Sequence, residues 1–241
     1  MIKQYIYSAQ HFLIDSYFPP HCICCNSENV SHFHFICSKC LESIRDVKTT
    51  TCPECGKITD YGSYCDLCRK KAGEMKGIIY VGKHDGSLKE LVHWFKYNGM
   101  LNIADLLVDL LETKFINYKF NDSTCVVPVP MNWRKKFARG FNQSEILAKK
   151  LSKRLKIKYI LALKKIKYTK AQMSLKKSDR QKNILGVFKI INGRRIPDQI
   201  LDKTVFLVDD VMTTGSTLNE CAKLLKENGA KKVIGLVVTK D

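Results

Sequence analysis

The sequence predicts an α/β protein in which a parallel sheet is flanked by helices and preceded by a small cysteine-rich metal module. Three observations predict it. Nine of the eleven cysteines fall between Cys22 and Cys68. From about residue 77, apolar runs of strand length alternate with stretches of helical periodicity, the pattern of parallel strands joined by crossover helices. Near the C-terminus, residues 205–217 (VFLVDDVMTTGST) join a hydrophobic run to two acids, a hydroxyl-rich loop and the start of a helix.

The chain has 241 residues, enough for one domain of ordinary size and a small satellite. Its 45 % hydrophobic and 27 % charged content is that of a globular protein and excludes disorder. No apolar run reaches the ~18 residues of a membrane span. Residues 1–20 (MIKQYIYSAQHFLIDSYFPP) carry one lysine and no compact apolar core. They read as an amphipathic lead-in helix rather than a secretory signal, which points to a cytoplasmic protein.

Residues 21–72 form the metal module. Cys22 and Cys25 stand two residues apart, as do Cys37 and Cys40, Cys52 and Cys55, and Cys65 and Cys68. Two intervening residues let both thiolates reach one ion, and two such pairs make a tetrahedral four-thiolate Zn2+ site. Close pairs in a chain without a secretion signal read as ligands rather than disulfides. So short a segment buries little core, and a structural Zn2+ would supply its folding energy. Two sequential sites are expected. An interleaved arrangement, joining Cys22 and Cys25 to Cys52 and Cys55, is the alternative. Cys24 is the spare.

Residues 77–241 form the second domain. Residues 77–82 (GIIYVG) predict a strand. Leu88, Leu91, Val92 and Phe95 recur at helical spacing, as do Ile103, Leu106, Leu107, Leu110 and Leu111. A strand and a stiff Pro-bounded loop follow at 125–130, then a helix over 143–155. The segment 165–182 has no clean period and much lysine, and reads as long and mobile. A strand at 205–210 ends in Asp209 and Asp210, a helix covers 216–228 with Asn228-Gly229 as its stop, and the last strand is 232–239.

The chemistry concentrates at the acid pair. The N–H groups of residues 213–217 would open a helix, where unpaired donors and the macrodipole favour an anion. Gly215 lets the backbone approach it. Two carboxylates beside such a site would repel a bare anion but accept hydrogen bonds from hydroxyls, so a ribose 5-phosphate suits both halves. An Asp pair after a strand also reads as a magnesium or phosphoacceptor site. Charge points the same way: of a net charge of +18, residues 134–195 hold 21 Lys and Arg against only Glu145 and Asp179. Such a field favours a polyanion or a phosphorylated ligand. A plain lysine-rich surface is the alternative.

The acid pair with its TTGST loop resembles the PRPP-binding motif of type I phosphoribosyltransferases. The paired cysteines after FPPHCICC, the CPECG knuckle, and the segments 127–148 (VPVPMNWRKKFARGFNQSEILA) and 169–188 (TKAQMSLKKSDRQKNILGVF) narrow the resemblance to the ComF family of natural-competence proteins. It implies a type I phosphoribosyltransferase-like sheet. Asp209 and Asp210 would hold the ribose diol, and Thr213, Thr214, Gly215, Ser216 and Thr217 the 5-phosphate. Arg134, Arg139 and Lys96 would face the pyrophosphate, and Gly140, Asn142 and Gln143 would shape that loop. Gln172, Arg180 and Asn183 would belong to a closing hood. Arg139 and Arg180 would be the catalytic arginines, working with Mg2+ carried by PRPP. A nucleophilic glutaminase domain is not expected.

Three functions compete. One is a competence factor that binds PRPP and single-stranded DNA in the cytoplasmic steps of DNA uptake, beside a helicase-like partner. Trp133, Phe137 and Phe141 would then stack on bases, or else pack in the core. The others are a phosphoribosyltransferase for a small nucleobase or amine, and a PRPP sensor without turnover. No acceptor-recognition motif is legible after Val237.

Overall fold

The computed structural model describes residues 21–28, 30, 35–45, 75–115, 120–167, 186–191 and 196–241. The lead-in helix, the cysteines Cys52, Cys55, Cys65 and Cys68, and the hood residues Gln172, Arg180 and Asn183 lie outside them.

The first helix, α1 (Ser38–Arg45), sits within the cysteine-rich module. The second domain begins with β1 (Ile78–Lys83), then α2 (Gly86–Tyr97) and α3 (Ile103–Glu112). Next come β2 (Thr124–Pro128), α4 (Trp133–Arg139) and α5 (Gln143–Leu155). The short strands β3 (Lys158–Tyr159), β4 (Leu163–Lys165) and β5 (Phe188–Ile190) follow, with the single turn α6 (Ile196–Ile200). The chain closes with β6 (Thr204–Met212), α7 (Ser216–Glu227) and β7 (Lys232–Lys240).

Five strands make one all-parallel sheet in the order β1-β7-β6-β2-β3. β4 and β5 pair antiparallel as a separate ribbon. The predicted sheet-and-helix class is therefore the observed one. Parallel central strands are covered on both faces, which is why β6 and β7 read as nearly continuous apolar runs. Phe206 and Val208 of β6 point to one face, into a core shared with Leu91, Leu107 and Leu147 of α2, α3 and α5. Val205 and Leu207 point to the other, packing with Leu218, Cys221 and Leu225 of α7.

Two elements differ from the sequence reading. β6 runs on to Met212, pairing Asp209 with Val237 and Met212 with Lys240, so the acids lie within the strand and not at its end. Between the Pro-bounded loop at 125–130 and the helix over 143–155, where no element was expected, stands α4, a seven-residue helix with no buried side chain. A helix that buries nothing leaves no apolar period to read.

The cysteine module is not set apart from this core. Cys22, Phe35, Ile36, Cys37 and Ile44 are buried in the same cluster as α2 and α3. The Cys24 thiol donates to the Ser87 carbonyl at 3.5 Å, and the Ser43 and Ser87 hydroxyls lie 3.3 Å apart. The spare cysteine thus seats the module on the first turn of α2.

Candidate phosphoribosyl site and thiolate cluster

All strands of the main sheet run the same way, so their carboxyl ends form one edge, where open α/β sheets place ligands. Asp209 and Asp210 lie near that edge on β6. Neighbouring residues of a strand face opposite sides, and the acids follow this rule. Asp210 takes the even-numbered side with Val208, and its Oδ1 receives the Lys96 ammonium of α2 at 3.3 Å. Asp209 takes the other, and its Oδ1 accepts from the Ser144 hydroxyl of α5 at 2.9 Å and from the Asp210 N–H at 2.9 Å. Enclosure by protein, and then the charge of Asp210, push the Asp209 carboxyl up to about 7. Lys96 and the Ser144 hydroxyl partly offset the repulsion between these two carboxyls.

Past Met212 the chain turns into α7. Gly215 has φ 74°, the left-handed region that favours glycine, and caps the helix. The Thr214 and Ser216 hydroxyls lie 2.8 Å apart, and the Ser216 N–H donates to Thr214 Oγ1 at 3.4 Å. Thr213 is exposed, while Thr214, Ser216 and Thr217 are half-buried. The first N–H groups of a helix have no intrahelical acceptor. Hydroxyls and helix donors therefore converge on one small turn next to the acids.

The other rim is residues 129–142. The Asn142 amide donates to the Val129 carbonyl at 3.1 Å, and its Oδ1 accepts from the Ser144 N–H at 3.2 Å, capping α5. One side chain thus ties the loop to β2 and aims Ser144 at Asp209. Gly140 ends α4 at φ 85°. Arg134 stacks over Trp133 at 5.4 Å, and Arg139 over Tyr97 at 4.9 Å. Gln143 is fully buried, and its amide finds no partner among the described residues. Phe141 lies against Phe95, centroids 5.8 Å apart, and joins the core. It takes the packing role of its two readings.

Three residues that sequence reasoning missed belong to this edge. Ser144 carried no signal beyond its place after Asn142. His84, just after β1, lies 2.9 Å by Nδ1 from the buried Thr239 hydroxyl, and burial holds its pKa below the usual value. Lys165, at the end of β4, sits 5.5 Å over the Phe188 ring. Burial, and then repulsion from Lys135, lower its pKa, and its charge acts on Asp209. Lysines this frequent in 134–195 gave no reason to single one out.

The cysteine cluster is a second centre. The Sγ atoms of Cys22, Cys25, Cys37 and Cys40 all lie within 4.8 Å of one another, the grouping that sequential pairing expects. Cys25 and Cys37 Sγ stand 3.7 Å apart, and the Cys37 N–H donates to Cys22 Sγ at 3.4 Å. A tetrahedral ion with bonds of about 2.3 Å sets its sulfurs about 3.8 Å apart, so these residues fit Zn2+. With four protein ligands and none left open, the site is of the structural kind.

Comparison with known proteins finds a match for each part of the chain. Residues 141–241 match the family Phosphoribosyl transferase domain, and residues 13–69 match the Double zinc ribbon domain. Fold and motif together define a phosphoribosyltransferase-type protein carrying a zinc ribbon. Competence protein F of Haemophilus influenzae is 29 % identical over 224 residues, 90 % of this chain and 96 % of that protein. DNA utilization protein YhgH of Escherichia coli K12 is 31 % identical over 204 residues, 82 % of this chain and 87 % of that protein. Competence protein ComFC of Streptococcus pneumoniae is 29 % identical over 200 residues, 82 % of this chain and 84 % of that protein. The chain belongs to this ComF family of competence and DNA-utilization proteins.

Proposed function

We propose that the chain binds PRPP at the carboxyl edge of its sheet and handles single-stranded DNA in cytoplasmic steps of DNA uptake. Asp209 and Asp210 accept the ribose hydroxyls, and residues 213–217 hold the 5-phosphate. Arg134, Arg139 and Lys96 face the pyrophosphate side, joined by Arg180 of the hood. The observation that carries the reading is the acid pair set beside the helix-opening turn, with Lys96 already on Asp210 at 3.3 Å. An ammonium resting on a ribose-diol acceptor can swing to an incoming pyrophosphate. The oxygen donors of PRPP suit Mg2+, which would supply charge neutralisation of the leaving pyrophosphate. The chain's own residues hold the sugar, set the two carboxyls in different environments and place cations around the phosphates.

Calorimetric titration of the zinc-loaded protein with PRPP and Mg2+ tests this. Saturable binding that Asp210→Ala and Gly215→Val each weaken at least tenfold is expected. Unchanged affinity in Asp210→Ala removes the ribose assignment. DNA handling rests on the basic stretch and on the names of the relatives. The second reading, transfer to a small nucleobase or amine, is favoured by His84, a neutral imidazole at the same edge. It predicts pyrophosphate release on adding one acceptor, and binding without release across acceptors leaves a sensor.

A further inference from the structure

α4 is unusual in what it shows to solvent. Trp133 is 68 % exposed and Phe137 88 % exposed, and none of the seven residues is buried. The two rings are four residues apart, so they lie on one helix face. Between and after them come Arg134, Lys135, Lys136 and Arg139. The acid Glu145 takes Lys136 of this helix at 2.9 Å and Lys149 at 2.8 Å. A third ring, Tyr97, 64 % exposed, stands under the Arg139 guanidinium at 4.9 Å. Folding gains nothing from large apolar rings left in water, so these two neighbouring rings stand free to meet a ligand.

We propose that α4, with Tyr97, is a stacking platform for single-stranded nucleic acid. Trp133 and Phe137 take the faces of successive bases, while Lys135 takes the phosphate between them. The proposal rests on the reading that the chain handles single-stranded DNA, and it names the surface that does so. Charge decides the occupant. An apolar protein partner would leave the cations around these rings without counter-charges. A duplex keeps its base faces stacked inside and offers the rings nothing. A single strand supplies an apolar face and a negative charge at each nucleotide. The platform leads directly through Gly140 and Asn142 into α5, whose Ser144 holds Asp209, so the bound strand lies beside the phosphoribosyl site.

The test uses the full zinc-loaded chain and fluorescence anisotropy with a labelled thymidine 16-mer, its duplex, inorganic polyphosphate and anionic phosphatidylglycerol vesicles. The expected result is that Trp133→Ala and Phe137→Ala each weaken 16-mer binding roughly tenfold. Trp133→Phe should restore most of the loss. Polyphosphate and PRPP affinities and the melting temperature should be unchanged. Lys135→Gln should lower the slope of log affinity against log salt by about 0.7, one phosphate contact to a single strand. A 16-mer affinity indifferent to both ring substitutions overturns the platform and leaves DNA handling standing. A wild-type chain that binds no 16-mer overturns both. Equal losses for polyphosphate or for duplex overturn base stacking. Vesicle binding that depends on the rings while the 16-mer does not would assign the helix to a lipid surface.

Discussion

Asp209 and Ser144 show how one residue's environment sets the site. Burial raises the Asp209 carboxyl to about 7, and the Ser144 hydroxyl works against that rise. The unfolded carboxyl titrates near 4. Between these values the folded chain holds a proton that the unfolded chain has released, so stability falls as pH rises through this window and levels off above about 7. Asp209→Asn removes that loss. Its melting temperature should exceed that of the wild type at pH 8 and match it near pH 4, while PRPP affinity falls at least tenfold by calorimetry. PRPP binding by the wild type should strengthen from pH 6 to 8 as Asp209 ionises. Ser144→Ala deletes a hydrogen bond to the charged form, worth about 1.5–3 kcal/mol. The midpoint of that pH profile should move upward, and an unmoved midpoint would show that Ser144 does not position the acid.

At the scale of elements, the proposed site rests on the turn into α7 and the cap of α5. Gly215 sits at φ 74° with the Met212 sulfur 3.6 Å from where a Cβ would stand, so space is adequate and the backbone conformation is the constraint. A side chain in the left-handed region costs about 1–2 kcal/mol. Gly215→Val should lower the unfolding free energy measured in urea by at least that amount and weaken phosphate binding. Gly215→Asn, a residue that visits this region, should recover the stability but not the close approach of the phosphate. The helix over 143–155 and the strand near 205 were legible because each buries one face or both, and burial writes a period into the sequence. The β4–β5 ribbon and α4 were not, since strands of three residues and an unburied helix leave no such period.

For the whole molecule, the zinc ribbon and the sheet share one core. Cys22, Cys37 and Ile44 pack with the residues of α2, the helix whose far end carries Lys96 to Asp210. Removing zinc should therefore act on the phosphoribosyl site. Chelation, or Cys40→Ser, should lower the melting temperature of a single cooperative transition and weaken PRPP binding severalfold. Two separate transitions, with PRPP affinity intact, would show that the ribbon folds independently. Among the described residues no helix is long and apolar enough to cross a membrane.

What the amino-acid sequence determined alone is local. The two-residue spacing of its cysteines, the alternation of strand and helix periods, and the acids followed by hydroxyls and Gly215 are all properties of neighbours along the chain. The tertiary structure decided which distant groups meet: Lys96 on Asp210, Ser144 on Asp209, Cys24 on Ser87, and which aromatic of 133–141 is buried and which is bare. Those outcomes depend on how the elements stack across the sheet, and side chains far apart in sequence carry no mark of one another until packing brings them into contact.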